Sequence, residues 1–394
     1  MIEALKFKYK PSNDTDTSKF KVEQKKTLNL ASMVGADFND SHWDELLDQM
    51  SLDELMTVVA RACKAAVVSI DKPLNYLKDG TQTIAGNASS GGGLYYEKPV
   101  GEAMLEDDKP TDVNTVAYPA EVVLACSYNA DLARELGEAF GEDGLWSLVH
   151  HHYAPGANIH RTPYSGRNYE YYSEDAYLTA IMASEEVAGQ KSKGLIPYIK
   201  HFAMNDQEER RLAIAIFSEE QAMREIYFRG FEYAIAKSKV PAIMGSYSRI
   251  GLTWTGAYKP MMTDMLVGEW GFNGILDTDA SLFSFMEAKS AVMAGTTDFA
   301  GTDNSRSNEL MTNIKTDAQL YAKVRDAAKR NLYVIANSAE MNGRTSNTRI
   351  VKILTPLQIG IISAICVLGV AFAATTAMYV LQVYFNKKEE SENE

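Results

Sequence analysis

Cysteine is scarce in these 394 residues: Cys63, Cys126 and Cys366 lie far apart with no CxxC pair, which excludes a disulfide framework and a structural zinc site of the usual spacing. Positive charge is also in deficit. Lys plus Arg number 39 against 52 Asp plus Glu, a formal net charge of −13, so the chain repels phosphate backbones and nucleic acid is excluded as a partner. No GxGxxG follows a strand-like run, and SSGGG in the loop 87–112 is followed by no GK[ST], so neither a dinucleotide nor a phosphate cofactor is indicated. The first residues, MIEALKFKYKPSND, lack the basic and apolar regions of a secretory signal.

One absence is itself a signal. No charged residue occurs between Lys352 and Lys387, and 359–385 is apolar for long enough to cross a bilayer as a helix. Tyr379 and Tyr384 suit the interface, and in the tail 386–394 Lys387 and Lys388 suit a cytoplasmic stop before the acidic run EESENE. Arg344, Arg349 and Lys352 flank the other side. The expected location is a single pass through the cell membrane, with the bulk of the chain extracellular.

With 46% hydrophobic residues, the remainder can bury a sizeable core. Residues 1–40 are polar and weakly periodic and read as an arm or connector. From 41 to 340 helical patterns alternate with short apolar runs ending in polar residues. Helices are predicted at 43–60, 130–146, 176–193, 219–237, 260–270, 282–294 and 317–338. Strands are predicted at AAVVSI, EVVLACS, LIPYIKHF, VPAIMGSY and GILDTD. Strand, loop and helix in repetition predict a (β/α)8 barrel, favoured over a doubly wound sheet because polar residues end nearly every run. A linker, 341–358, then leads to the span.

Four strand ends concentrate polar side chains: LKDG, HRTPYSGRNYEYYSED, YIKHFAMNDQE and LDTDA. Carboxylates that accept from hydroxyl pairs, beside Arg, Lys and His donors, suit a polyhydroxylated ligand such as a sugar. Glycosidic cleavage also needs a carboxylate against the anomeric carbon. Asp279 is the candidate, with helix N-capping as its alternative role. Residues two apart on a strand face the same way, so Asp277 belongs on the same side as Asp279, one layer deeper and harder to ionise. His150, His151 and His152 are consecutive and so alternate in direction, which argues against a metal site. Arg224 and Glu225 read as a buried helix ion pair.

YAPGANIHRTPYSGRNYEYYSED, IKHFAMNDQE, SEEQAMREIYFRGFE, MGSYSRI and GEWGFNGILDTDA together resemble, in order and spacing, the catalytic barrel of glycoside hydrolase family 3, over roughly 43–298. The KHFAMNDQE form resembles the β-glucosidase branch. The resemblance implies a retaining, exo-acting β-glycosidase acting on terminal β-linked glucose, without cofactor or metal, with Asp279 as nucleophile. It further implies Asp79, Arg167, Lys200, His201, Met244 and Tyr247 as sugar ligands. Ala280 stands where the family usually has an aromatic, and Thr81 follows KDG where Pro is common. The family's general acid/base is a Glu on a second, α/β sandwich domain, which this chain does not accommodate. The chain resembles the second half of members with reversed domain order and a terminal membrane anchor, whose sandwich partner lies upstream or on another chain. Glu170, Glu174 and Glu208 are the nearby carboxylates, each expected in structural hydrogen bonds. The rival reading is a non-catalytic, membrane-tethered sugar-binding module.

Overall fold

The computed structural model describes residues 9–12, 16, 20–60, 65–84, 116–301, 305–351 and 356–392, with side chains as far as 388. The loop 87–112 lies outside them. Five parallel strands, β1 (Leu77–Asp79), β2 (His151–Tyr153), β3 (Ile196–Phe202), β4 (Ala242–Gly245) and β5 (Ile275–Asp277), pair in chain order. Sequential parallel neighbours with helices between them are the TIM-like α/β arrangement. Among the described residues the sheet is not seen to close. Beyond β5, the main-chain N–H groups of Thr297 and Asp298 donate to the Leu276 carbonyl at 2.8 and 3.1 Å, which extends the pairing by one more segment.

The period of two along each strand sorts side chains between two cores. On β3, Ile196 and Tyr198 join the cluster that also holds Ala242, Met244 and Ile275, whereas Ile199 and Phe202 join a second cluster with Ile243 and Leu276. The second cluster lies under α3 (Ala130–Ser147), α4 (Ala176–Ser192) and α5 (Arg229–Ser238), the first two numbered after α1 (His42–Asp48) and α2 (Leu52–Ala60). Helices α3 and α4 approach closely because glycine lies at their contact: a Cβ on Gly137 would fall 2.1 Å from the Glu186 carbonyl oxygen. Helix α6 (Ala318–Ala336) starts at Asp317, whose carboxylate accepts from the N–H groups of Gln319 and Leu320. Described residues of the segment expected as a polar arm pack against this helix and the first cluster. Phe20 stacks on Tyr321 at 4.2 Å, and Leu30 and Met33 are buried in the first cluster.

Several elements depart from expectation. The helix expected at 43–60 breaks into α1 and α2 at Ser51, where Ser51 and Glu54 cap each other. EVVLACS, expected as a strand, contains the helix Glu121–Ala125, a short apolar run whose period does not separate the two states. AAVVSI gives only a short 3-10 turn, Val68–Ile70, ended by Asp71 in the left-handed region. The helix expected from Leu282 begins only at Ala288. Arg224 pairs with Glu220 and Glu269 on the surface, and Glu225 accepts from Gln221, so the expected buried Arg224–Glu225 pair is not formed.

By itself, the helix Pro356–Glu392 contains a stretch, Pro356–Lys388, long and apolar enough to cross a membrane.

Candidate active site

Inner-face residues of successive strands form layers, because the register pairs Leu77 with His151 and His151 with Ile196, and Met244 with Asp277. The deeper polar layer is closed on itself. Lys72, His151 and Glu340 have no exposed side-chain surface, with Glu340 3.4 Å from Lys72 Nζ and 3.3 Å from His151 Nε2. His151 Nδ1 meets the Tyr198 hydroxyl at 2.7 Å. Burial alone pushes Glu340 up, but Lys72 and His151 outweigh it and hold the carboxyl at about 2. Above it, Tyr153 donates to Asp277 Oδ2 at 2.7 Å, linking β2 to β5 across the inner face, which requires the sheet to curve. Asp277 is 1% exposed, the deeper member of the LDTDA pair, as expected. His152 points the other way, to Gln190 on α4 and the Gly80 carbonyl, so the histidines diverge.

The strand ends carry the outer layer. Asp79, at the last position of β1, is 68% exposed and accepts from Lys200 Nζ at 2.8 Å. Partial burial pushes its carboxyl up, but the charges of Lys200, Arg167 and His152 prevail and hold it below the usual range. Lys200 is buried. Desolvation disfavours its charge, yet Asp79 and Glu170, the latter at 3.8 Å, keep its pKa above normal. Arg167 is clamped between Glu170 and Glu208, the second contact at 3.5 Å.

His201 follows Lys200 at the end of β3, where the register shifts between Ile199 and Phe202. Asn158 brackets the His201 main chain, accepting its N–H at 2.8 Å and donating to its carbonyl at 3.1 Å. Burial first, then the charges of Arg167, Lys200 and Arg211, push the imidazole well below its normal value, so it is neutral near pH 7. Its Nδ1 faces the Tyr171 hydroxyl at 3.2 Å and its Nε2 lies 4.0 Å from Asp279 Oδ2.

Asp279 is 17% exposed. One oxygen accepts from the Ala280 N–H at 2.7 Å, an interaction within its own loop, and the next helix begins at Ala288, so it caps no helix. Burial raises its pKa, opposed by that hydrogen bond and by Arg211, Arg167 and Lys200. The Tyr247 hydroxyl donates to the Ala280 carbonyl at 2.9 Å, and burial and the Asp279 charge both push the phenol up. Met244 is buried in the core beneath this rim.

Asp79, Arg167, Lys200, His201, Tyr247 and Asp279 thus lie within one interacting cluster. Sequence reasoning missed Asn158, Asn205 and Arg211. Asn205 donates to Tyr171 and Glu208, and Arg211 pairs with Glu208 at 2.7 Å and sits 5.0 Å above the Tyr247 ring. Glu170 and Glu208 accept hydrogen bonds from Arg167 and Arg211, of the structural kind expected of all three glutamates, whereas Glu174 is exposed.

Polar side chains gathered at the carboxyl ends of parallel strands define a TIM-like enzyme-type site. Residues 111–332 match the glycosyl hydrolase family 3 N-terminal domain, and the chain belongs to that family. It is 35% identical over 178 residues to thermostable beta-glucosidase B of Acetivibrio thermocellus, covering 44% of this chain and 24% of the relative. Against a beta-glucosidase of Ruminococcus albus it is 41% identical over 170 residues, 43% of this chain and 18% of the relative. The structure of beta-glucosidase 3B from Thermotoga neapolitana in complex with glucose superposes with a TM-score of 0.66 at 28% identity, covering 78% of this chain and 44% of that one. The chain therefore spans less than half the length of these relatives.

Proposed function

We propose that the chain is the catalytic barrel of a retaining, exo-acting β-glucosidase, with Asp279 as nucleophile. The observation that carries this reading is the meeting of Asp279 with neutral His201 at the end of the same sheet that presents the Asp79–Lys200 pair. In the first step an Asp279 oxygen bonds to the anomeric carbon as the glycosidic C–O bond breaks and the leaving oxygen takes a proton. Water then attacks the same carbon, Asp279 leaves with its electron pair, and the water's proton returns to the acid/base. Lys200 and Arg167 favour the ionised nucleophile, while burial keeps it poorly solvated and reactive. Asp79, Arg167, Lys200 and His201 hold the terminal sugar's hydroxyls, with Tyr247 and Met244 lining the same subsite.

In the same reading the acid/base is the Glu that the family resemblance assigns to a sandwich domain, and Glu170 and Glu208, both engaged by arginines, keep structural roles. Closure of the sheet into a (β/α)8 barrel over 41–340 belongs to the same reading, as do a connector at 1–40 and a linker at 341–358. The apolar stretch 359–385 anchors it in the cell membrane as a single span, with the barrel extracellular and the tail 386–394 inside.

The test is a 2-fluoro β-glucoside whose leaving group departs without acid assistance. Covalent labelling of Asp279, read by peptide mass and absent in Asp279→Asn, supports the enzyme. Glucose binding with no labelling in either protein supports a non-catalytic sugar-binding module.

A further inference from the structure

The segment Met204–Glu208 serves two walls. Asn205 and Glu208 turn toward Tyr171, Arg167 and Arg211, inside the cluster described above. Asp206 and Gln207 turn instead to a separate cavity of about 320 Å³, lined also by Arg161, Tyr227, the edge strand Ala215–Ile216 of a small three-stranded sheet, and Phe217 just after it. Its volume falls at the lower end of small-molecule sites, roughly 300–1,000 Å³.

Its chemistry is selective. Asp206 is 6% exposed, and the one hydrogen bond it receives from another described residue is from the Ile159 N–H, at 3.1 Å. Such a carboxyl has acceptor capacity that only a ligand or water can fill. Burial lifts it to about 7, only partly offset by Arg161. Arg161 Nη2 donates to Gln207 Oε1 at 3.2 Å, which fixes the amide at the rim. Phe217 is 77% exposed, an apolar ring held open beside these polar groups. A cationic ligand is disfavoured by Arg161 and an anionic one by Asp206, whereas a neutral ring with hydroxyls on its edge and C–H groups on its face suits both walls.

We propose that this cavity is a second carbohydrate site, which binds a monosaccharide ring with its apolar face on Phe217 and its hydroxyls on Asp206 and Gln207. It is distinct from the site at Asp279 and goes beyond the glucosidase reading.

The full chain carrying Asp279→Asn, in a detergent without a sugar headgroup, is titrated calorimetrically with glucose. A second glucose per chain is expected, weakened about tenfold or more by Phe217→Ala and, as an independent check on folding, by Gln207→Ala. Near pH 7 its binding releases a proton, because hydroxyl donors favour ionised Asp206, and Asp206→Asn removes that release. The first glucose is lost with Asp79→Asn and untouched by Phe217→Ala. A single glucose that follows only Asp79→Asn overturns the second site and leaves the glucosidase reading standing. A single glucose that follows only Phe217→Ala does the reverse.

Discussion

Two polar layers stacked in one sheet use the same residue types for opposite ends. The inner layer, with Lys72, His151 and Glu340 and the Tyr153–Asp277 pair above them, is sealed, and its members meet one another. The outer layer, Asp79, Lys200, His201 and Asp279, is left half open: Asp79 is exposed, Asp279 is partly so, and His201 stops 4.0 Å short of it. Buried charge that is matched within the chain holds the fold in one arrangement. Charge matched on one side only is ready for a ligand.

Asp279→Asn should break the outer layer's chemistry most completely, slowing formation of the glycosyl-enzyme on the order of 10³-fold or more while leaving the melting temperature nearly unchanged. The inner layer should answer in the reverse sense. Glu340→Ala leaves Lys72 buried without its carboxylate and should cost about 3–5 kcal/mol in urea unfolding. If that variant is as stable as the parent, the distinction between the layers fails. Tyr153→Phe removes one buried hydrogen bond from Asp277 and should cost about 1–3 kcal/mol.

Acid should sharpen the contrast. The Glu340 carboxyl is depressed from 4.5 to about 2, so its contribution is fully present above 4.5 and is lost as the pH falls from there through 2. Glu340→Gln should flatten that part of the stability profile, read as melting temperature against pH. The smallest effect belongs to an ion pair in neither layer: Arg224→Ala, which removes the surface contact with Glu269, should change stability by about 0–1 kcal/mol.

The central strands were legible where bulky apolar runs meet turns. LIPYIKHF, VPAIMGSY and GILDTD are strands because their bulky apolar residues are bounded by turns, and the structure places them side by side. The order of Asp277 and Asp279 followed from a period of two alone. EVVLACS failed because seven mostly apolar residues carry no period that separates strand from helix, and the chain before it enters in an extended conformation that suits a helix start at Ala120. Arg211 and Asn158 were invisible because their roles lie in partners brought from elsewhere in the chain: the Tyr247 ring for one, the His201 main chain for the other.

Sequence by itself determined the charge deficit, the apolar terminal stretch, the alternation of elements and the residue types at four strand ends, since each is a property of neighbours along the chain. Tertiary structure alone decided which carboxylate is sealed and which is left facing solvent. Ionisation depends on the distance to charges and on the water displaced, and both are set by strands that meet only after folding.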